Sequence, residues 1–217
     1  MKEWIQDLLS TPSLRTMGHG QRIQDANLGL GWLYYALTRA TKARTVVVIG
    51  SYRGFVPIVI AKAMKDNLEG GRLIFIDPSL VDEFWKDLDR VNDYFARYGT
   101  DNIQHFKLTT EEFCETDVYE QLNGIDLLFI DGLHTYKQVR ADFEAFEEKM
   151  ADSGVVLFHD TATVSIGKIY GSDNLHVRNV PRFIQELRMR SALQVFDLHC
   201  AEGIAFVSKI PVPRDCV

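Results

Sequence analysis

The sequence predicts an α/β fold: a mostly parallel sheet of seven strands, helices on both faces, and an antiparallel hairpin at the C-terminal end. Three observations carry that reading. Short β-branched runs alternate with stretches of helical periodicity. Runs such as Val46-Val47-Val48-Ile49 and Leu127-Leu128-Phe129-Ile130 are apolar at every position, as strands are when helices cover both sides of a parallel sheet. The last two runs are joined by a short loop containing Glu202-Gly203, which suits a hairpin.

The elements follow in order. Residues 2–40 show no strand signal, and Ile23, Ala26, Leu30, Leu33 and Leu37 recur at helical spacing. Residues 1–44 are therefore expected as a helical prefix, and 45–217 as the main domain. Five parallel strands are expected at Thr45–Gly50, Arg72–Asp77, Asn102–Lys107, Asp126–Asp131 and Gly154–His159. Helices are expected at Phe55–Lys65, with Pro57 in the opening turn, and at Phe84–Tyr98. Thr109-Thr110-Glu111-Glu112 reads as a capping box. Thr135-x-x-Gln138 opens another helix, with Val139, Phe143, Phe146 and Met150 along one face. A last helix at about Pro181–Arg190 precedes the hairpin strands Leu193–Leu198 and Gly203–Ser208. Residues 162–180, with Gly167 and Gly171, read as a mobile loop over the site.

Composition bounds the function. The chain has 217 residues, 24 basic against 30 acidic, with 46% apolar and 25% charged. That excludes disordered and collagen-like classes and argues against a broadly phosphate-coating nucleic-acid binder. The longest apolar run, Phe55 to Ala61, is too short to span a bilayer, so no membrane partner is expected. The N-terminus is polar and shows no signal-peptide pattern, and Cys114, Cys200 and Cys216 lack metal-ligand spacing. A soluble protein of a reducing compartment, the cytoplasm, is the expectation.

Ligands of parallel sheets bind beyond the carboxyl ends of the strands. Gly50-Ser51-Tyr52-Arg53-Gly54 leaves the first strand and enters a helix, where glycines allow tight turns and free N–H groups point outward. Asp77 ends the second strand, where a carboxylate can accept both hydroxyls of a ribose. Together they predict an adenosine-type ligand; separately, each also reads as a turn glycine or a helix cap. Asp131 and Asp160 end the fourth and fifth strands and can converge on Mg²⁺, Mn²⁺ or Ca²⁺. His134 follows Asp131 by three positions and suits proton transfer near neutral pH. The alternative for this pair is a capped turn and a surface histidine. His159 joins that site only if the strand has ended, since strand neighbours point to opposite faces. His19 and His176 are expected on covers over the pocket.

On these residues the chain resembles the class I S-adenosylmethionine-dependent methyltransferases. More narrowly, it is similar to small-molecule and sugar O-methyltransferases with an F-I-D-G-x-H-x-Y motif, here Phe129 to Tyr136, followed by Val156-Leu157-Phe158-His159-Asp160-Thr161. The resemblance covers about residues 45–208. It implies a Rossmann-like sheet whose last strand runs antiparallel between its neighbours. It implies that Gly50, Ser51 and Gly54 line the methionine and ribose part of S-adenosyl-L-methionine, and that Asp77 holds the ribose. Thr109, Thr110 and Glu111 would lie near the adenine, and Asp131 would border the cofactor. Asp131 and Asp160 would hold Mg²⁺ or another divalent cation, and His134 would be the base; His159 is added as a metal ligand by the strand-end reading, not by the resemblance. Two positions depart from the family pattern. Val48 stands where an acidic residue usually grips the cofactor's amino group, and His159-Asp160 stands where metal-binding relatives often have Glu-Asp.

The implied reaction is in-line methyl transfer to a hydroxyl of a small-molecule acceptor, a sugar of a natural product or a phenol. Trp85, Tyr136, Tyr170 and the prefix would form a partly apolar lid. A homodimer is expected on base rates. The alternatives are a nucleotide-binding oxidoreductase on a related fold and a non-catalytic binding module.

Overall fold

The computed structural model describes residues 1–68, 70–80, 82–168 and 175–211. The prefix forms α1 (Lys2–Ser10) and α2 (Gly31–Thr41), separated by turns. Pro12 follows the end of α1, and left-handed backbone at His19, Gly20, Ala26 and Gly29 keeps the intervening chain in turns, so Ile23 and Ala26 are not helical. Then come β1 (Thr45–Ile49), α3 (Phe55–Asp66), β2 (Arg72–Ile76), α4 (Leu88–Arg97) and β3 (Ile103–Phe106). Short α5 (Thr110–Phe113) and α6 (Asp117–Glu120) lead to β4 (Ile125–Ile130), α7 (Tyr136–Phe146) and β5 (Met150–His159). A small ribbon, β6 (Ser165–Lys168) and β7 (Leu175–Arg178), precedes α8 (Val180–Arg188), β8 (Leu193–Leu198) and β9 (Ile204–Lys209).

The sheet has seven strands in the order β3-β2-β1-β4-β5-β9-β8. The first five are parallel, and β9 runs antiparallel between β5 and β8. Alternation along each strand sorts the core into two layers. Val46, Val48, Phe75, Phe129 and Leu157 pack with residues of α1, α2, α3 and α4, whereas Val47, Ile49, Ile74, Leu128 and Phe158 pack with Phe113, α7 and α8. Ile5, Leu8, Leu9 and Leu14 belong to the first layer, so the prefix covers its own sheet.

Both expected caps form. Thr109 and Glu112 exchange the reciprocal bonds of a capping box, and Thr135 accepts from the Gln138 N–H. Three expectations change. The helix expected from Phe84 starts at Leu88, because the N–H groups of Phe84 and Trp85 are taken by the Asp82 and Ser79 side chains, and Asp87 is the cap. Trp85 is core rather than lid: it is 2% exposed and packs on Phe75 and Phe95. Part of the expected loop 162–180 pairs as the β6–β7 ribbon. Tyr170, Gly171 and Cys216 lie outside the described residues. Among the described residues no helix is long and apolar enough to cross a membrane, and Cys114 and Cys200 are free thiols.

Candidate active site

The order of strand addition reverses between β1 and β4, and there the carboxyl ends of the strands open a crevice. It is a cavity of about 450 Å³. Its floor includes Gly50, Ser51, Asp77, Asp131, His159 and Asp160; Thr109, Thr110 and His134 stand at its sides. Thr16, Met17 and His19 reach over it from the prefix, and Lys168, His176 and Arg178 from the ribbon. His19 and His176 therefore sit where the sequence suggests. Gly54 does not line the cavity, nor do Trp85 and Tyr136. The Tyr136 hydroxyl instead donates to the Glu186 carboxylate, 2.9 Å away.

The glycines have distinct local reasons. Gly50 has φ 71°, and a Cβ there would lie 2.5 Å from the Asp131 carbonyl oxygen, so only glycine lets the exits of β1 and β4 come together. Gly54 has φ 80° and begins α3; a Cβ would press within 2.9 Å of the Trp85 ring. Val48 is fully buried in the core and does not line the cavity.

Asp77 caps no helix. One carboxylate oxygen accepts the Ser79 N–H at 2.8 Å and the other the Ser51 N–H at 3.3 Å. Burial raises its pKa, and those two bonds only partly offset the effect. Each oxygen keeps a further lone pair, so the group fits vicinal ligand hydroxyls. Asp142, on α7, is a second buried carboxyl on the cavity wall. Burial pushes its pKa up to about 6, while bonds from Thr110 and Gln138 pull the other way.

Across the cavity four ionisable side chains meet. His134 Nε2 is 3.0 Å from Asp131 Oδ1 and 3.4 Å from Asp160 Oδ2. His159 Nδ1 is 2.9 Å from Asp160 Oδ1 and 3.4 Å from Asp131 Oδ1. β5 runs through His159, and alternation would turn Asp160 away. Left-handed backbone at Asp160, φ 57°, brings both side chains to the same side. Burial raises the Asp131 pKa, but His159 and His134 outweigh it and hold the group well below the usual carboxylate range. Burial lowers the His159 pKa, and the two carboxylates overturn that, to about 10. The His19 ring stacks on His159 at 5.4 Å.

These donors fit a divalent cation. Metal–ligand bonds of about 2.1 Å give ligand–ligand edges of about 3.0–3.4 Å in octahedral and tetrahedral sites. The two His159 contacts fall in or near that range, and ligand atoms of Asp131, His134 and His159 all lie within 4.8 Å of one another. With His134 kept for the proton, His159 adds one imidazole to the two carboxylates, which makes the set softer than carboxylates alone and, of the expected Mg²⁺, Mn²⁺ and Ca²⁺, favours Mn²⁺.

Sequence reasoning gives no place in the site to Arg178, Lys168 or Gln138. A signal for the ribbon residues is present in Leu175-His176-Val177-Arg178, which alternates apolar and polar.

A family model described as a methyltransferase domain matches residues 47–161, the span that holds both sides of the cavity floor. An uncharacterized protein of Sinorhizobium fredii is 30% identical over 135 residues, 60% of this chain and 14% of that protein. An uncharacterized protein of Acanthamoeba polyphaga mimivirus is 32% identical over 117 residues, 54% of this chain and 51% of that protein. The chain therefore spans about half or less of the curated relatives it matches. Among solved structures, an O-methyltransferase from Bacillus cereus in complex with SAH is similar with TM-score 0.67 at 16% identity, covering 95% of this chain and 91% of that one. The O-methyltransferase TomG from Streptomyces achromogenes, involved in tomaymycin synthesis and bound to SAM, gives TM-score 0.64 at 16% identity, covering 97% and 89%. At such identity these likenesses establish the fold.

Proposed function

The chain belongs to the methyltransferase-domain family whose model spans residues 47–161, and from that premise we propose that it is an S-adenosylmethionine-dependent O-methyltransferase acting on a hydroxyl of a small molecule, a sugar or a phenol. The observation that carries the reading is the meeting of Asp77 and Ser51 with the Asp131–His134 pair on one cavity. The presence of SAM and SAH in the similar O-methyltransferase structures supports it.

S-adenosylmethionine supplies an electrophilic methyl group, and a divalent cation, when bound, supplies Lewis acidity toward the acceptor oxygen. Asp77 accepts the ribose hydroxyls, and Gly50 and Ser51 border the methionine end. Thr109 and Thr110 stand beside the adenine. Asp131, Asp160 and His159 would hold the cation, which leaves His134 for the proton. Asp131 orients that ring by accepting at Nε2, so Nδ1 is the atom that takes the acceptor's proton. Asp160, on the same nitrogen, adds a second negative charge beside the imidazolium that forms. The prefix residues Met17 and His19 and the ribbon exclude water from the cavity.

Calorimetry tests the reading against an oxidoreductase on a related fold. S-adenosylhomocysteine is expected to bind saturably and NAD to give no heat. The opposite pattern would remove methyl transfer from consideration.

A further inference from the structure

Two nitrogen atoms of the ribbon, Arg178 Nε and His176 Nδ1, are buried without a hydrogen-bond partner among the described residues. Native structures keep few such atoms, because an unpaired buried polar atom loses its water and gains nothing. Ribbon register pairs Ser165 with Arg178 and Gly167 with His176, so these four residues share one face. The opposite face carries Ile166, Leu175 and Val177, exposed by 72%, 66% and 53%, together with Lys168, which also reaches the cavity. Arg178 and His176 border the cavity. Two polar side chains of one face thus turn to the cavity while the three apolar side chains of the other lie in solvent, the reverse of what burial of apolar surface alone would select.

The placement is fixed. Arg178 forms a backbone bridge with Thr135, and the Asn179 N–H donates to the His134 carbonyl at 2.8 Å. The ribbon is therefore tied to the loop that presents His134. Gly167 makes room for the guanidinium: a Cβ there would lie 2.6 Å from Arg178 Nε and 3.1 Å from its Nη2. A planar fork of N–H groups beside an imidazole nitrogen matches the oxygens of a carboxylate or phosphate.

We propose that the acceptor carries an oxyanion, a carboxylate or a phosphate, and that Arg178 and His176 bind it from the ribbon side of the cavity. The proposal rests on the methyl-transfer reading for the word acceptor and names the chemical class of that substrate. Specificity arises because a neutral analogue leaves both buried nitrogens unpaired.

The probes are sodium acetate and inorganic phosphate, titrated into the full chain loaded with S-adenosylhomocysteine, with sodium chloride holding ionic strength constant. Imidazole ¹H–¹⁵N spectra follow His176, its signals assigned by His176→Gln. A saturable shift of the His176 ring is expected with at least one probe, and the tighter one identifies the acidic group. Arg178→Met should weaken that binding by about tenfold or more. Gly167→Ala, which keeps the charge but drives a methyl into the guanidinium, should weaken it less. No saturable shift with either probe, or equal affinity in Arg178→Met, overturns the proposal. Calorimetry on the same samples reads S-adenosylhomocysteine, whose affinity should be unchanged in both variants. If the native chain binds oxyanion but not S-adenosylhomocysteine, the ribbon site stands and the methyl-transfer reading falls.

Discussion

His105 and His159 are both half-sheltered or buried imidazoles on strands of one sheet, yet their protons obey opposite rules. His105, on β3 behind Asp77, is pushed down to about 4 by burial, with only the bond to the Asp77 carbonyl resisting. His159, at the end of β5, is raised to about 10 because Asp131 and Asp160 overcome the same burial. The carboxylates divide likewise: Asp77 is raised, chiefly by burial, and Asp131 is held low by two imidazoles. One side of the cavity is thus built from backbone hydrogen bonds around weakly charged groups. The other is built from paired charges. The first suits holding a hydroxylated ligand by hydrogen bonds; the second suits holding a cation or moving a proton.

The sharpest way to break this division is His134→Ala. If the charged side handles the acceptor's proton, methyl transfer should slow by about 10²–10⁴-fold, read as turnover of an acceptor that the native enzyme methylates. S-adenosylhomocysteine affinity should not change, because His134 lies on the other side. A loss below about tenfold would leave the pair a structural role only. Asp77→Ala probes the hydrogen-bonded side. It removes the acceptor for the Ser51 and Ser79 N–H groups as well as for the ligand. S-adenosylhomocysteine should bind about 10–100-fold more weakly, by calorimetry, with the far-ultraviolet spectrum unchanged.

The division is only partly legible in the sequence. Apolar runs place the strands, and strand ends place Asp77, Asp131, His134 and Asp160, because position along a parallel strand decides which residues reach the crevice. That His159 and Asp160 face the cavity together is not legible. Alternation sets them on opposite sides, and nothing in the residues around them specifies the left-handed backbone that turns Asp160 back. Trp85 reads as lid rather than core because its place depends on the gap over Gly54, which exists only once α3 and α4 pack. The ribbon reads as loop because each of its strands is four residues long, too short for alternation to stand out.

His105→Phe sharpens the comparison through stability. The His105 pKa is lower in the folded chain, about 4, than its ordinary 6.5. Its contribution is therefore fully present above about pH 6.5 and is lost as pH falls toward 4, because the unfolded chain takes up the proton first. Phenylalanine keeps a ring against Phe75 and Trp85 but cannot titrate. It gives up the bond to Asp77 at every pH, so the slope is the informative quantity. Between pH 6.5 and 4 the variant should lose less stability than the native chain, by on the order of 1–3 kcal/mol, in urea titrations. Equal slopes would mean that His105 takes up its proton at the same pH in the folded and unfolded chains.

Asp142 asks which rule governs the boundary between the two sides. It bonds to Thr110 and Gln138, near Gly132, and His134 is close enough to favour its charge. Burial nevertheless raises its pKa to about 6, so it follows the hydrogen-bonded side. A raised folded-state pKa means that its contribution is complete below about pH 3.8 and disappears as pH rises through 6. In Asp142→Asn the amide oxygen can still accept both bonds, and no charge is left to bury. The variant should match the native chain near pH 4 and exceed it near pH 8 by about 1 kcal/mol, again by urea titration. A variant that is less stable at pH 8 would show that Asp142 is held ionised by its neighbours, and the boundary would move to include it among the paired charges.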